Sequence, residues 1–471
     1  MKICVLQPDY STTEVDFKNW DPPRDLSQFR PDDQVDHVFL NKLTTYRQLR
    51  DLSKAGYDIF VNLNDGYLDW EIPSTDVMHA LDLLELPYTG PDATYYFIPK
   101  STMKYVAYCA DVKSPHGLLV SSMEELEAEI GQLSFPLFVK PDRAGDSLGI
   151  DERSFVADEK ALRSKVAELI EEYADVLIEE YIEGREYSVL LAGNPDGKSC
   201  TSFLPVEYVF PKGSTFKTYE LKTSATTAGT YIPVEEPNLR QALKDATERI
   251  FLTAEGMGYA RADFRVDGNG DIYFIEMNFT CSVFYEEGLQ GAADFILNFD
   301  TVGQAEFLQM IIDEGIARHQ RKKKKYTVKG SSLSGYGLFA KEAIQQGETL
   351  FRGEERPQRL VSKQHVERTW TKEQQENFKH YAYPVGPDRY LIWDGNPREW
   401  IPQNHCCDAN TAFEGLDVVA LRDIDVNEEL TLDYAEFLDH NIEPFACKCQ
   451  SENCRGTVKG KKDYSFGERE K

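Results

Sequence analysis

Long apolar runs, an excess of basic residues and a secretory signal are all missing from this sequence of 471 residues. No apolar run approaches the roughly 18–20 residues that a membrane-spanning helix needs. Met1–Leu6 matches a short β-strand, and the chain turns polar too soon afterwards for a signal peptide. The 52 basic residues face 80 acidic ones, and the net charge of −28 argues against non-specific binding to nucleic acid. These absences predict a soluble cytoplasmic protein with neither membrane nor nucleic-acid partners.

Cysteine, in contrast, is concentrated towards the end of the sequence. Four of the nine cysteines lie there at a spacing that suits a metal site. Cys447, Cys449 and Cys454 form a C-x-C-x4-C pattern, and Cys407 precedes them. Thiolates at this spacing favour tetrahedral zinc, and four of them make a closed structural site. The alternatives are buried unpaired cysteines or a disulfide, which is disfavoured because thiols stay reduced inside cells. We therefore predict zinc at Cys407, Cys447, Cys449 and Cys454.

Three further motifs accompany the cysteines. Asn404-His405-Cys406-Cys407 is followed by Glu-Glu-Leu-Thr-Leu-Asp-Tyr (428–434), and Gly-Tyr-Gly-Leu-Phe-Ala (335–340) lies upstream. Together they resemble the SET-domain protein-lysine methyltransferases with a post-SET zinc tail, over residues 326–465. The resemblance implies S-adenosylmethionine as cofactor and a protein or peptide lysine as substrate. It implies cofactor contacts from Gly335, Tyr336, Gly337, Leu338, Asn404, His405 and Tyr434.

By the same resemblance, Tyr434 is the catalytic tyrosine. Neutralising a free lysine at pH 7 costs about 4.6 kcal/mol, and a dry aromatic channel lowers that cost. Tyr381, Tyr383 and Tyr390 are candidate walls of such a channel, although each could equally be a core residue. Leu432 stands where the family carries a phenylalanine or tyrosine, and we expect it to permit di- or trimethylation.

The first part of the chain predicts an α/β layer. Lys2–Leu6 and Asp58–Leu63 match buried strands, and helical patterns lie between and after them. Strands that alternate with helices indicate a parallel sheet covered on both faces.

A β-hairpin with acidic residues on one face is predicted over residues 259–278. Two alternating runs surround Asp-Gly-Asn-Gly (267–270), a typical hairpin loop. If this loop closes the hairpin, Asp263 lies diagonal to Glu276, about 7–8 Å away. Asn278 follows on the same face, and all three offer the oxygen ligands that magnesium prefers when it also holds phosphates. The alternative is a solvated hairpin face that carries a salt bridge.

A possible nucleotide site lies between these two regions. The strand 135–141 presents Lys140, and the small-residue loop 145–149 that follows has backbone amides able to cradle phosphate oxygens. The edge of the run 176–182 could pair with an adenine, and Glu186 could accept ribose hydroxyls. A lysine beside a glycine loop is weak evidence by itself, and the other residues strengthen it.

These residues resemble the ATP-grasp fold, most closely its D-alanine–D-alanine ligase branch, over residues 58–281. In such ligases ATP phosphorylates a carboxylate, and an amine attacks the acyl phosphate. The resemblance implies a set of ATP-binding residues: Lys100, Lys140, Ser147, Glu179, Glu180, Ile182, Glu186 and Lys222. It also implies a catalytic phosphate contact from Arg261 and magnesium ligation by Asp263, Glu276 and Asn278.

The chain departs from that branch where the substrate would bind. Phe279-Thr280-Cys281-Ser282 replaces a Pro-Gly pair, and Thr223 replaces a tyrosine. We therefore expect the ligase substrate to be a different amino acid, a peptide or a small carboxylate rather than D-alanine.

The fold class expected for the whole chain is α/β and α+β multidomain. It comprises a pre-ATP-grasp α/β domain (1–95), an ATP-grasp domain (96–318), a basic linker (319–327), a mostly-β SET domain (328–440) and a post-SET zinc tail (441–471). The linker contains the chain's block of positive charge, which is typical of a solvated segment.

Three functions fit this organisation. The first is an ATP-dependent carboxylate–amine ligase fused to an S-adenosylmethionine-dependent N-methyltransferase that acts on a lysine or on a small amino-acid or peptide acceptor. In the second, the ATP-grasp half only senses nucleotide or docks the substrate. The third is a non-catalytic scaffold. The first is favoured because no expected metal ligand or catalytic tyrosine is missing.

Overall fold

The computed structural model describes residues 1–13, 19, 21–66, 70–145, 147–218, 230–353, 358–393, 403–440 and 443–461. They form two compact units, Met1–Lys322 and Lys323–Lys471. Each unit is organised around its own hydrophobic cores. Within these described ranges, no helix has both the length and the apolar character needed to cross a membrane.

The N-terminal unit begins with the parallel sheet that the sequence predicted. Its strands are β1 (Lys2–Pro8), β2 (Gln34–Leu40) and β3 (Ile59–Asn62), in the order β2-β1-β3. Helices α1 (Thr45–Leu52) and α2 (Thr75–Leu83) pack on one face, against Cys4, Leu6 and Phe60. Ile3 and Val5 point into a different core on the opposite face, so both faces are buried.

A second, antiparallel sheet carries part of the nucleotide site. After helix α3 (Lys100–Cys109), the elements are β4 (Gly117–Val120), α4 (Met123–Glu129), β5 (Leu137–Pro141), β6 (Phe155–Val156), α5 (Glu159–Tyr173) and β7 (Val176–Glu180). The strand order is β4-β7-β5-β6. Val139 and Ile178 pack with α4 and α5. Because side chains alternate along a strand, Lys140 and Glu179 emerge on the other face.

A third sheet holds the predicted hairpin. Its strands are β8 (Gly184–Gly193), β9 (Cys200–Ser202), β10 (Val206–Val209), β11 (Thr230–Pro233), β12 (Tyr259–Asp267) and β13 (Ile272–Asn278), with helix α6 (Pro237–Thr253) between β11 and β12. The order is β11-β10-β8-β12-β13, and β9 pairs with β8. Helices α7 (Ala292–Phe299) and α8 (Gly303–Lys322) follow. A Cβ on Gly184 would lie 2.1 Å from the carbonyl oxygen of Val266, so the close approach of β8 to β12 at this position requires glycine.

The register of the β12–β13 hairpin differs from the prediction. Its loop extends over residues 267–271, because the Asp267 carboxylate accepts the backbone N–H groups of Asn269 and Asp271 at 2.9 Å each. A bulge in β13, between the residues that pair with Asp263 and Phe264, shifts the register of the two strands a second time. Asp263 therefore faces Glu276 directly instead of lying diagonal to it.

The predicted basic linker over residues 319–327 is shorter in the structure. Helix α8 includes residues 319–322, and strand β14 (Tyr326–Gly330) starts before the predicted boundary. The last turns of α8 are anchored, because the Arg318 guanidinium donates to the carbonyl oxygens of Gly90 and Tyr88 at 2.7 Å each. These bonds hold part of the basic stretch in a packed helix.

The C-terminal unit consists mostly of short strands. After β14 come β15 (Tyr336–Ala340), β16 (Thr349–Phe351), β17 (Gln358–Val361), α9 (Lys363–Thr369), α10 (Lys372–Tyr381), β18 (Tyr383–Gly386), β19 (Arg389–Trp393), β20 (Asn404–His405), β21 (Thr411–Glu414), β22 (Asp417–Ala420), β23 (Glu429–Leu432), α11 (Tyr434–Phe437), β24 (Phe445–Ala446) and β25 (Thr457–Val458). One sheet has the order β14-β15-β23-β21-β22-β16, with β20 on β23. The smaller sheets are β17-β19-β18 and β24-β25.

Candidate active sites

A cavity of about 520 Å³ in the N-terminal unit brings together most of the predicted nucleotide and metal residues. Those that line it are Lys100, Lys140, Ser147, Glu179, Glu180, Ile182, Glu186, Arg261, Asp263 and Glu276. Asn278 lines an adjoining cavity of about 110 Å³, which shares Lys100, Arg261 and Glu276 with the first. Lys222 lies outside the described residues. Residues far apart in sequence thus converge on two adjoining cavities.

Buried lysines surround Glu179 at one end of this cavity. The Lys140 ammonium lies 2.6 Å from one carboxylate oxygen of Glu179, and Lys104 pairs with the other. Burial alone would raise the pKa of Glu179, but Lys104 and Lys140 bring it below its usual range. Burial also lowers the pKa of Lys100, partly opposed by Glu276. Such a cluster of cations can neutralise the phosphates of a nucleotide.

The predicted magnesium ligands lie on one face of the β12–β13 hairpin. The Arg261 guanidinium lies 2.9 Å from the Asp263 carboxylate, and the Ser188 hydroxyl donates to Asp263 at 2.6 Å. The Asn278 amide donates to Glu276 at 3.3 Å. Directly paired residues have Cβ atoms about 4.5–5.5 Å apart, close enough for Asp263 and Glu276 to share a metal ion. The oxygen donors match the preference of magnesium.

In the C-terminal unit, Asn404 joins the glycine motif to β23. Its amide donates to the carbonyl oxygens of Ser334 and Tyr336 at 3.1 Å each, and to Glu429 at 2.8 Å. A Cβ on Gly337 would lie 2.1 Å from the Glu429 carboxylate, so a side chain at this position would have to displace Glu429. Gly335, Gly337 and Asn404 are therefore brought together, and Leu338 is buried beside them while Tyr336 is exposed.

Tyr434 lies in a cavity of about 60 Å³ with largely aromatic walls. Its hydroxyl donates to the carbonyl oxygen of Gln403 at 2.6 Å, and its backbone N–H donates to Nδ1 of His405 at 3.1 Å. Burial raises the pKa of Tyr434, so the phenol stays protonated at neutral pH. The other aromatic walls are Tyr326, Phe351, Tyr381, Tyr383, Trp393, Phe413 and Phe437. Tyr390 lies elsewhere, since its buried hydroxyl donates to Asp439 at 2.9 Å.

The four predicted zinc ligands are clustered. The Sγ atoms of Cys407, Cys447, Cys449 and Cys454 all lie within 4.8 Å of one another, and those of Cys407 and Cys447 are 3.7 Å apart. A tetrahedron with zinc–sulfur bonds of about 2.3 Å places sulfur atoms about 3.8 Å apart. The cysteine cluster therefore fits a tetrahedral metal ion.

Known ligases share the organisation of the N-terminal unit. The D-alanine--D-alanine ligase of Bordetella petrii is 28% identical over 239 residues, which is 50% of this chain and 70% of the relative. The solved D-alanine--D-alanine ligase of Bacillus anthracis complexed with ATP has a TM-score of 0.50 and 19% identity, over 69% of this chain and 100% of that chain. D-alanyl-alanine synthetase A from Vibrio cholerae has a TM-score of 0.52 and 20% identity, over 67% and 98%. At these identities the structural likeness shows the fold alone.

Two family models match consecutive parts of the chain. Residues 112–284 match the family described as D-ala D-ala ligase C-terminus, and residues 335–435 match the SET domain. The chain joins an ATP-grasp fold to a SET domain. Both folds were predicted from the sequence, and the strand-rich C-terminal unit agrees with the mostly-β SET expectation.

The ATP-grasp cavity also contains residues that the sequence interpretation missed. Lys217 lies 2.7 Å from the Glu186 carboxylate, and Arg265 lies 3.6 Å from it. Arg265 also donates to the carbonyl oxygen of Ile182 at 2.8 Å. Arg265 lies on the same face of β12 as Arg261 and Asp263, because side chains alternate along a strand. The strand pattern could therefore have indicated it. Lys217 had no such local signal.

A buried aspartate anchors the loop at the other end of the ATP-grasp cavity. The Asp294 carboxylate accepts the backbone N–H groups of Phe284 at 2.7 Å, Tyr285 at 3.2 Å and Gly291 at 3.1 Å. Burial raises the pKa of Asp294 to about 6, although these bonds oppose the shift. The loop between Phe284 and Gly291 contributes Tyr285 and Leu289 to the lining. Asp294 therefore fixes the loop that forms one wall of the cavity.

Proposed function

We propose that the ATP-grasp unit is an ATP- and magnesium-dependent carboxylate–amine ligase. The observation that carries this proposal is the convergence of Lys100, Lys140 and Arg261 with the facing acids Asp263 and Glu276 in one cavity. Cations and metal ligands at one point are what phosphoryl transfer needs, because negative charge accumulates on the transferring group.

Each residue has a distinct role in this proposal. Lys100 and Lys140 neutralise nucleotide phosphates, while Glu179 orients Lys140 and Lys104 through its ion pairs. Glu186 accepts hydrogen bonds from the ribose hydroxyls, and its carboxylate forms an ion pair with Lys217. Bound magnesium supplies charge neutralisation between the phosphates of ATP. Its proposed ligands are Asp263, Glu276 and Asn278, and Arg261 orients the first of them.

The proposed substrate is a carboxylate other than D-alanine. Ser282 occupies the segment that follows the metal-ligand asparagine, and its hydroxyl donates to Asp65 at 2.9 Å. This contact lies in segment 279–282, where the sequence differs from the D-alanine ligase branch. The side chains at the substrate end of the cavity therefore differ from those of that branch.

The ligase proposal is tested by incubating the purified chain with ATP, magnesium and a panel of amino acids and short peptides. We expect ADP release that depends on a particular carboxylate–amine pair, with amide formation detected by mass spectrometry. ADP release that is independent of every carboxylate and amine would contradict ligation. Tight nucleotide binding without turnover would favour the nucleotide-sensing alternative.

We propose in addition that the SET domain is an S-adenosylmethionine-dependent N-methyltransferase. The observation that carries it is Tyr434 in an aromatic cavity, with Asn404 and the glycine motif assembled beside β23. Bound S-adenosylmethionine supplies an electrophilic methyl group. The Tyr434 proton is engaged by the Gln403 carbonyl, which leaves hydroxyl lone pairs able to orient the incoming amine. The apolar walls favour the neutral amine over the ammonium.

Zinc is the proposed occupant of the cysteine cluster, with a structural role. The acceptor is a lysine of a protein or peptide, or the amine of a small amino-acid or peptide product. Transfer of label from S-adenosylmethionine to a peptide library or to the ligase product tests the assignment. Tyr434→Phe should abolish transfer while the variant stays folded, whereas Tyr108→Phe, at an exposed tyrosine outside the site, should leave transfer unchanged. Equal transfer by both variants would contradict the role of Tyr434.

A further inference from the structure

One part of the ATP-grasp cavity is walled by uncharged, mostly aromatic side chains. We define the aromatic recess as Tyr208, Tyr231, Tyr285, Leu289 and Phe295, all of which line the cavity. The ring centroids of Tyr208 and Tyr231 are 4.9 Å apart, and those of Tyr231 and Phe295 are 5.1 Å apart. Leu289 is 46% exposed at the edge of the cavity, so the recess is open to an incoming molecule.

Strand pairing places the aromatic recess next to the phosphoryl-transfer residues. Tyr231 pairs with Tyr208, and Tyr208 pairs with Glu186. Two residues further along the same face of β8 is Ser188, whose hydroxyl donates to Asp263 at 2.6 Å. A molecule in the recess could therefore extend a carboxylate towards Asp263 and Arg261.

The charges around the recess restrict what it can hold. The Lys217 ammonium lies 4.3 Å from the centroid of the Tyr208 ring and pairs with Glu186. Lys217 and Glu186 already neutralise each other, so neither a cationic nor an acidic side chain gains an ion pair from them. A neutral aromatic ring, in contrast, gains offset or edge-to-face contacts with Tyr231 and Phe295.

We propose that the carboxylate substrate of the ligase is an amino acid with an aromatic side chain, whose ring occupies the aromatic recess. This inference rests on the proposed ligase function. The substrate carboxylate oxygen bonds to the γ-phosphorus of ATP as the bond to the bridging oxygen breaks, which releases ADP. An amine then bonds to the carbonyl carbon, inorganic phosphate departs, and the amine proton leaves with it.

The test measures binding and turnover separately on the full chain. Calorimetry with magnesium and a non-hydrolysable ATP analogue compares phenylalanine and tyrosine, in both enantiomers, with alanine, lysine and glutamate. ADP release is then followed with the same amino acids, each as the carboxylate partner of a common amine. We expect the aromatic amino acids to bind at least about tenfold more tightly than alanine, as stacking and ring burial together require.

Substitutions in the recess provide the second arm. Tyr231→Ala and Phe295→Ala should remove the aromatic preference, while Tyr231→Phe should retain it. Tyr108→Ala is the control, because Tyr108 is exposed and is not among the residues that line the cavity.

The outcomes separate this inference from the ligase proposal. Alanine, lysine or glutamate binding as tightly as phenylalanine would overturn the aromatic recess, as would binding of no amino acid or an unchanged preference in Tyr231→Ala and Phe295→Ala. Aromatic binding without ADP release would support the recess and overturn ligation. ADP release without aromatic preference would support ligation and overturn the aromatic recess.

Discussion

Asp263 combines a direct pairing with Glu276 and contacts to Arg261 and Ser188. We predict that Asp263→Asn lowers ADP release by at least about 100-fold, because the loss of a metal ligand removes charge stabilisation from phosphoryl transfer. Magnesium titrations of the initial rate provide the measurement. Asp271→Asn in the same hairpin is the control, since its side chain pairs with Lys113 at the surface. Equal losses in both variants would indicate damage to the hairpin instead.

Lys104 makes the stability of the ATP-grasp unit depend on pH. Burial lowers the pKa of Lys104 to about 8 despite its pairing with Glu179, whereas an unfolded lysine has a pKa near 10.4. Folding therefore favours the neutral amine, so this residue's contribution to stability increases as the pH rises from about 8 to 10 and is lost as the pH falls through 8. Relative to Lys104→Met, we predict that the wild-type free energy of unfolding rises by roughly 2 kcal/mol between pH 7.5 and 9.5.

Urea unfolding at several pH values provides this measurement. The control is Lys113→Met, because Asp271 raises the pKa of the exposed Lys113 and keeps it protonated over the same range. A constant difference between the wild type and Lys104→Met would contradict the shifted pKa of Lys104.

The β12–β13 hairpin shows how far the sequence could predict the proposed magnesium site. Alternation along 259–278 correctly indicated a hairpin with Asp263 and Glu276 on one face. It did not indicate the bonds from the Asp267 carboxylate that lengthen the loop, or the bulge that brings Asp263 directly opposite Glu276. The alternation of polar and apolar residues encodes neither the hydrogen bonds of the Asp267 side chain nor the position of the bulge.

At the scale of elements, prediction was best where a motif is continuous in sequence and poorest where strands bring distant residues together. The β1 sheet, the hairpin and the cysteine pattern are local signals. Lys217 meets Glu186, and Tyr231 meets Tyr208, only because β8, β10 and β11 pair across long connections. The aromatic recess is therefore a product of sheet topology, and no stretch of the sequence contains it.

The cysteine cluster ties the segment that contains β24 and β25 to the rest of the C-terminal unit. Strands β24 and β25 pair with each other, and the cluster connects this segment to Cys407, close to Asn404. Zinc binding contributes about 10–16 kcal/mol to the folding of small sites at neutral pH. We predict that Cys449→Ser, or a strong chelator, abolishes methyl transfer while leaving binding of the ATP analogue unchanged. Cys109→Ser, at an exposed cysteine, is the matched control.

Metal analysis must accompany the activity measurement. We expect about one zinc ion per wild-type chain and a large loss in Cys449→Ser, in keeping with a closed four-thiolate site. Methyl transfer that persists without bound zinc would contradict the structural role of the cluster.

At the scale of the whole molecule, the described residues that line each cavity come from one unit. The residues that line the 520 Å³ cavity lie between Trp70 and Phe295, and those that line the 60 Å³ cavity lie between Tyr326 and Phe437. The unit boundary falls at Lys322, outside both sets. We therefore expect each ligand to stabilise the unit whose residues line its cavity.

We predict that calorimetric unfolding shows two transitions with separate ligand responses. The ATP analogue with magnesium should raise one transition, and S-adenosylmethionine should raise the other, because a ligand at 100 times its dissociation constant stabilises the fold that binds it by about 2.7 kcal/mol. Asp263→Asn should weaken only the first response, and Tyr434→Phe should leave that response intact. A single transition that both ligands raise would mean that the two units unfold as one cooperative body, and it would contradict the independence of the two sites.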